Sequence, residues 1–327
     1  MQLFTTVLAA VLPLFGLVAI GYCAKKLRIL HVTDADVLSR FVVGLALPAF
    51  VIDAFLHNTV KLQYFSLPLV IWVSAGVAFA LTLVAAKLLK CDLKQTGTML
   101  LLATFGNTGF LGYPITMALH PNLIPANVIM DQIGMSTPLY PIALLVAGVY
   151  GRTSETQTMR ESMIRVFRTP IFNAVLIALA LRFVPWPHLH GEGAMAVVAA
   201  GVAKTLHAIV VAIHWVSSAT IPVILVSIGL LLRPSAIRDH IGNVAVIGIL
   251  RLIVAPALGF LTARYILGIH DPALLTICVI ISGTPPSAAA TVLCGQYDMD
   301  GSLGVAAFFA LTMLSALSIP LMLSILH

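Results

Sequence analysis

The decapeptide FGNTGFLGYP, residues 105–114, interrupts an apolar stretch that runs from about residue 97 to about residue 119. Three glycines, a proline and the polar pair Asn107-Thr108 stand where a membrane-spanning helix would be expected to continue. Glycine and proline both destabilise a continuous helix. Because unpaired backbone groups are costly in lipid, such a break is tolerated only where protein or a watery cavity surrounds it.

A second break, ISGTPPSAAA at residues 281–290, interrupts the apolar stretch 272–294. The two breaks follow matching prolines: Gly109 lies sixty-one residues after Pro48, and Gly283 lies sixty-one residues after Pro222. One proline is enough for a simple kink, so a kink remains an alternative for each break taken alone. Two polar breaks at corresponding positions favour the binding site of a transporter.

Composition places the rest of the chain in a membrane as well. Hydrophobic residues make up 60% of the 327 residues, charged residues make up 9%, and the mean hydropathy is +1.05. Soluble domains carry roughly 25% charged residues, and a helix needs roughly 20 apolar residues to cross the hydrocarbon core. The predicted fold is all-α and integral to the membrane, with ten spans. These are 4–23, 41–57, 66–86, 97–119, 129–150, 170–186, 216–233, 242–266, 272–294 and 302–325.

The net charge of +6 comes from basic residues that lie in short loops, which is how membrane proteins set their orientation. This placement argues against a nucleic-acid partner. The loops after spans one, three, five and seven hold most of these residues and would face the cytoplasm: Lys25, Lys26, Arg28, Arg40, Lys87, Lys90, Lys94, Arg152, Arg160, Arg165, Arg168, Arg233 and Arg238. We predict a plasma membrane protein (bacterial inner membrane) with both termini outside. The stretch 194–213 is interpreted as an amphipathic or re-entrant helix on the outer face, since an eleventh span would place Arg233 and Arg238 outside the cell.

The polar loop 151–169 divides the chain into two halves, 1–150 and 170–327, with five predicted spans each. Five is odd, so the second half enters the membrane in the opposite orientation, which is the arrangement of an inverted repeat. The broken spans four and nine then occupy equivalent places in the two halves.

The breaks are suited to binding an anion. A helix that restarts after a break presents free backbone N–H groups and the positive end of its dipole. Five polar side chains of the breaks can add hydrogen bonds: Asn107, Thr108, Ser282, Thr284 and Ser287. Such a site can hold a carboxylate without a lysine or an arginine.

The motif Asn107-Thr108-x-x-x-Gly112-x-Pro114 resembles the crossover motif of the auxin efflux carrier family, which includes plant auxin exporters and bacterial malonate or malate permeases. The segment from Pro285 to Gln296-Tyr297 resembles its counterpart in span nine, and Gln132 stands where the family places a substrate-contacting glutamine. The resemblance extends over nearly the whole chain. One departure is Gly106, where the plant pattern has a proline.

This resemblance implies a scaffold of spans 1, 2, 6 and 7 that often dimerises, and a transport domain of spans 3–5 and 8–10. The substrate would lie at the crossed breaks and move by elevator-like displacement of the transport domain. The small anion would be a dicarboxylate such as malonate. The residues expected to bind it, with Arg251 as a possible partner for a dianion, are Asn107, Thr108, Gly109, Gln132, Ser282, Thr284, Pro285, Ser287 and Arg251.

Ionisable residues inside membrane spans are candidates for function. Asp53 could be a proton or cation site, or it could lie at the outer interface. Asp131 could couple an ion, or it could cap the outer end of span five. Arg251 could bind a dianion, or it could be a structural partner for a carboxylate or for backbone carbonyls. Symport with Na⁺ or H⁺ therefore stays open, and no other cofactor and no metal site is expected.

Three other function classes are alternatives to a carrier. A membrane enzyme is disfavoured because the sequence has no suitably placed HExxH or GxSxG motif and no paired acids. A sensor would need a signalling domain, for which the chain has no room. An anion channel, or a uniporter of a monocarboxylate, is harder to exclude, because a pore between broken helices is conceivable.

Overall fold

The computed structural model describes residues 2–151, 161, 164, 167–183, 205, 208–232 and 238–326, and the secondary structure over those ranges is helical. The helices are α1 (Gln2–Lys26), α2 (Asp34–His57), α3 (Leu62–Leu88), α4 (Leu93–Thr104), α5 (Gly112–Leu119), α6 (Pro121–Tyr150), α7 (Pro170–Phe183), α8 (Ala208–Leu231), α9 (Ile241–Ile266), α10 (Pro272–Ser282), α11 (Ala288–Gln296) and α12 (Gly301–Leu326). In this part of the chain seven helices, α1, α2, α3, α6, α8, α9 and α12, are long and apolar enough to cross a membrane.

The remaining predicted spans are shorter helices or pairs of helices. Predicted span four consists of α4 and α5, which are separated by residues 105–111, and predicted span nine consists of α10 and α11, separated by residues 283–287. Predicted span six is represented by α7, which has 14 residues. The helices are therefore interrupted at the two stretches that the glycines and prolines indicated.

Three helix starts differ from the prediction by seven or more residues, the first being that of α2, which begins at Asp34 rather than near residue 41. Helix α6 begins at Pro121 rather than near residue 129, and α8 begins at Ala208 rather than near residue 216. Residues 208–213 belong to α8, so the amphipathic or re-entrant helix predicted for this stretch would lead directly into predicted span seven. The rest of the stretch 194–213, apart from residue 205, lies outside the described residues.

Helix starts follow local sequence. Helix α4 begins with a capping box, in which the Asp92 side chain accepts from the Gln95 N–H at 2.8 Å and Gln95 reaches back to the Asp92 N–H. Helix α10 begins after Asp271, whose carboxylate accepts from the Ala273 N–H at 2.9 Å. These caps fix the ends of α4 and α10 that lie away from the breaks.

Close backbone packing joins the first helix of each half to the second helix of the other half. Helix α1 packs on α8, and α2 packs on α7. Gly21 and Gly229 permit the first of these contacts, because a Cβ at Gly21 would lie 2.2 Å from the Val226 carbonyl oxygen and one at Gly229 would lie 2.1 Å from that of Val18. Helix α3 packs on α4, α6 and α9, around the two breaks.

Candidate functional site

The two helix breaks meet and pair through their backbones. Gly106 and Pro286 form an antiparallel bridge, with the Asn107 N–H donating to the Pro285 carbonyl at 2.8 Å and the Ser287 N–H donating to the Phe105 carbonyl at 2.9 Å. Backbone groups that the breaks release from their helices are thereby satisfied across the crossing. The pairing holds the residues that follow each break in fixed positions.

Gly106 is required at this crossing by the close approach of Arg251. A Cβ at residue 106 would lie 1.9 Å from Arg251 Nη2 and 2.5 Å from Thr284 Oγ1. The guanidinium donates to the Thr284 carbonyl from Nε at 3.0 Å and from Nη2 at 2.6 Å, and it is only 2% exposed. Gly106, which departs from the plant pattern, thus makes room for an arginine that binds the opposite break.

Arg251 faces backbone carbonyls rather than the cavity described below. Besides its bonds to Thr284, its Nη1 lies 3.5 Å from the Thr104 carbonyl, the last residue of α4. Arg251 belongs to the π-helical segment Leu250–Val254 of α9, and such segments are frequent at functional sites. Of the two roles considered for Arg251, the geometry matches the structural partner of carbonyls.

A cavity of about 190 Å³ opens beside the crossing. Its walls come from the first break, the middle of α6, the start of α11, Leu47 of α2 and Ile171 of α7. The polar side chains among the described residues that line it are Asn107, Thr108, Tyr113, Asp131, Gln132, Ser136 and Ser287. The cavity is large enough for a small organic molecule and lies between the interrupted helices and α2 and α7.

Asp131 is the centre of a buried hydrogen-bond cluster in this cavity wall. Its Oδ1 accepts from the Thr108 hydroxyl, and its Oδ2 accepts from the Tyr113 hydroxyl at 2.5 Å and from Gln132 Nε2 at 2.8 Å. The residue is 6% exposed and lies well inside α6, on the π-helical segment Met130–Ser136. The interpretation of Asp131 as an interfacial helix cap is therefore wrong, because Asp131 lies ten residues after Pro121, where α6 begins.

Asn107 offers a hydrogen-bond donor that the protein leaves unused. It is 4% exposed, lines the cavity, and its Nδ2 has no hydrogen-bond partner. Its own carbonyl, by contrast, accepts from the N–H groups of Leu111 and Gly112 at the start of α5. A buried amide without a partner is costly, so this donor points to a ligand that accepts a hydrogen bond in the cavity.

Ser287 brings the start of α11 to the same cavity. Its hydroxyl caps the helix by accepting from the Ala289 N–H at 3.2 Å, and Ser287 to Ala290 line the cavity. The first turn of a helix has N–H groups without intrahelical partners and carries partial positive charge. The start of α11 therefore provides donors that suit a carboxylate.

The structure brings five of the nine predicted binding residues to the cavity: Asn107, Thr108, Gly109, Gln132 and Ser287. The other four, Ser282, Thr284, Pro285 and Arg251, do not line it. Ser282 donates to the Cys278 carbonyl at 2.7 Å and Thr284 donates to the Ile281 carbonyl at 3.0 Å, so both hydroxyls are used within their own segment. Sequence reasoning missed Tyr113, although a tyrosine directly before Pro114 in the first break was a visible signal.

Asp53 lies apart from this site, between α2 and α8. Its Oδ2 is 3.1 Å from His214 Nδ1 and accepts from the Ser217 hydroxyl at 3.1 Å, and its Oδ1 is 3.1 Å from His57 Nδ1. Both imidazole rings are exposed, whereas the Asp53 side chain is largely covered. Asp53 thus connects the C-terminal end of α2 to the N-terminal part of α8.

Comparison with known proteins agrees with this architecture. The family described as membrane transport protein matches residues 6–323. An uncharacterized transporter of Methanocaldococcus jannaschii is 26% identical over 319 residues, which is 95% of this chain and 96% of the relative. An uncharacterized transporter of Methanothermobacter thermautotrophicus is 24% identical over 313 residues, 95% of each chain.

A shorter similarity links the chain to a mammalian protein. The lysosomal cholesterol signaling protein of Mus musculus is 28% identical over 197 residues, which is 55% of this chain and 22% of the relative. The family match, by contrast, extends over nearly the whole chain and confirms the resemblance that the crossover motif indicated. The chain therefore belongs to the membrane transport protein family, which is the auxin efflux carrier family.

Proposed function

We propose that this protein is a secondary active transporter of small organic anions, with a dicarboxylate such as malonate as its substrate. The unpartnered Nδ2 of Asn107, a residue that lines the cavity at the crossing, carries this proposal. Asn107 and the start of α11 line the same cavity, so one carboxylate could accept from the amide while another meets the helix end. A cavity of about 190 Å³ suits a compact molecule of this kind.

Helix packing supports an inverted repeat of ten crossings as part of the proposal. If α1 corresponds to α7 and α2 corresponds to α8, then the contact of α1 with α8 is equivalent to the contact of α7 with α2. The crossing of the two breaks lies where the symmetry axis would pass. On this view α1, α2, α7 and α8 are the scaffold, and the remaining helices are the transport domain.

The position of the cavity supports elevator-type movement as part of the proposal. Most of its polar wall belongs to the proposed transport domain, whereas Leu47 and Ile171 belong to the proposed scaffold. Sliding of one group past the other would carry the substrate across the membrane while the crossing stays intact. Homodimerisation through the scaffold, termini outside and residence in the plasma membrane are further parts of the proposal. Coupling to Na⁺ or H⁺ would use Asp131 at the cavity or Asp53 away from it.

A monocarboxylate uniporter is the second candidate, because no lysine, arginine or histidine is among the described residues that line the cavity. A single negative charge needs less compensation than two. Competition by acetate, lactate, malate and succinate against malonate would rank these substrates. Flux that saturates and shows counterflow indicates a carrier, and conductance far above carrier rates would indicate a channel.

The decisive test is uptake of radiolabelled malonate into proteoliposomes, with Na⁺ and H⁺ gradients imposed separately. We expect saturable uptake, counterflow, and accumulation under one of the two gradients. Uptake no greater than in protein-free vesicles under either gradient would refute malonate as the substrate.

A further inference from the structure

The cavity proposed for an anion has an acid in its wall. Asp131 lines the cavity beside Thr108 and Asn107, the residues proposed to bind the substrate. Its two carboxylate oxygens already accept hydrogen bonds from three side chains. An anionic substrate and an ionised Asp131 would therefore place two negative charges in one small buried space.

No charged group on the neighbouring described helices compensates Asp131. Tyr113 of α5 is the titratable group in contact with it, and Arg251 of α9 is turned toward the Thr284 carbonyl behind Gly106. The packed helix α3 has two titratable side chains, Tyr64 and Lys87, near its two ends, and neither lines the cavity. Two like charges about 6 Å apart at an effective dielectric constant of about 20 would weaken anion binding on the order of a hundredfold.

We propose that Asp131 takes up a proton when the anion binds, so that one proton is carried with each anion. The proposal rests on the function proposed above. The two carboxylate oxygens differ in their donors. Oδ2 accepts from the Tyr113 hydroxyl and from the Gln132 amide, whereas Oδ1 accepts from the Thr108 hydroxyl. An amide N–H can only donate, but a hydroxyl can turn from donor to acceptor. Oδ1 is therefore the oxygen that receives the proton.

Protonation of Asp131 then reorients the Thr108 hydroxyl toward the substrate. A proton from solvent bonds to Oδ1, and the new O–H donates to the Thr108 oxygen. The hydroxyl hydrogen of Thr108, which lines the cavity, becomes free to donate to the carboxylate of the substrate. Protonation thus removes the repulsion and supplies a donor in one step, and release of the anion reverses both changes.

The test measures proton uptake when malonate is added to purified protein in weakly buffered detergent, with a pH-sensitive dye as the readout. Wild type should take up about one proton per malonate more than Asp131→Asn, whose amide mimics the neutral acid. Protonation of malonate itself contributes equally to both proteins and cancels in the difference. Asp271→Asn is the matched control, because asparagine also caps α10, and it should behave as wild type.

Affinity and transport give the second readout. Wild-type affinity for malonate should fall by roughly tenfold per pH unit above neutrality relative to Asp131→Asn, which should bind equally over this range. In proteoliposomes Asp131→Asn should keep counterflow and lose accumulation driven by a proton gradient. Thr108→Ser should keep the coupling, whereas Thr108→Val should weaken binding at every pH. Equal proton uptake in wild type and Asp131→Asn, or a Na⁺ requirement that Asp131→Asn abolishes, would overturn the proposal.

If malonate is not the substrate, wild-type protein will not bind it, and this outcome is distinct from a failure of the proton proposal. Infrared difference spectra of the ligand-free protein between about pH 5.5 and about pH 8.5, a range in which exposed carboxylates stay ionised, still test Asp131 in that case. A protonated-carboxyl band should appear in wild type and Asp271→Asn and be missing in Asp131→Asn. Identical spectra for all three proteins would overturn the role of Asp131 without reference to any substrate.

Discussion

The two helix breaks are equivalent in sequence position but differ in what their polar groups do. In the first break, Asn107 and Thr108 face the cavity, and the Asn107 amide has a donor without a partner. In the second break, Thr284 and Ser282 bond to carbonyls of their own segment, and Arg251 binds the Thr284 carbonyl. The side chains of the first break can therefore bind a ligand, whereas in the second break Ser282 and Thr284 bond within the protein and Ser287 lines the cavity, a division that an inverted repeat does not require.

Gly106→Ala should have the largest effect, because it forces Arg251 away from Thr284. The added methyl group would stand 1.9 Å from Nη2, so the guanidinium must give up its bonds to the second break. We expect a loss of about 3 kcal/mol in the free energy of unfolding. Thermal unfolding in detergent measures it, and Gly148→Ala, which meets nothing within 4 Å, is the control that should keep wild-type stability.

Combination with Arg251→Met tests the cause. If the clash with the guanidinium is what destabilises Gly106→Ala, the double variant should be less destabilised than the sum of the two single variants. Strict additivity of the two losses would mean that Gly106 matters for another reason.

Asn107→Ala should separate binding from stability in the first break. Its Nδ2 has no protein partner, so we expect malonate affinity to fall at least about tenfold while the free energy of unfolding changes by less than about 0.5 kcal/mol. Counterflow at low substrate concentration and thermal unfolding measure the two effects. Wild-type transport at low substrate would contradict a binding role for Asn107.

Thr284→Val is the matching change in the second break, and it should reduce stability while leaving malonate affinity nearly unchanged. The variant loses the hydrogen bonds of Oγ1 to the Ile281 carbonyl and to Arg251 Nη2, so about 1 kcal/mol of stability should be lost. Malonate affinity measured in folded protein should change less than threefold, because Thr284 does not line the cavity. A tenfold loss of affinity with unchanged stability would mean that Thr284 contacts the ligand as well.

Asp53→Asn should have the smallest effect, and it distinguishes the role of Asp53 from that of Asp131. Asp53 connects α2 to α8 through His214 and Ser217, which an asparagine can partly reproduce. We expect less than about 1 kcal/mol of destabilisation and an unchanged ratio of protons to anions. If Asp53→Asn transported anions without protons, proton coupling would be assigned to Asp53 in the proposed scaffold rather than to Asp131 at the cavity.

Much of the candidate site could be predicted because its signals are local. Asn107, Thr108 and Ser287 stand next to glycines or prolines in otherwise apolar stretches, and nothing except a helix break accounts for them there. Gln132 was indicated by the resemblance to the family. The role of Thr284 could not be predicted, and the two roles open for Arg251 could not be distinguished, because the direction in which a side chain faces depends on packing between residues that are distant in the sequence.

Sequence by itself determined that this chain is a helical membrane protein, where two of its spans break, and to which family it belongs. Hydrophobicity, glycine and proline act over a few residues, so their consequences can be seen without a fold. Only the tertiary structure decided that the breaks pair through Gly106 and Pro286, that Arg251 holds the second break, and that Asp131 lies in the cavity wall rather than at a helix end. Those outcomes depend on close contacts between the two halves of the chain, which no local pattern specifies.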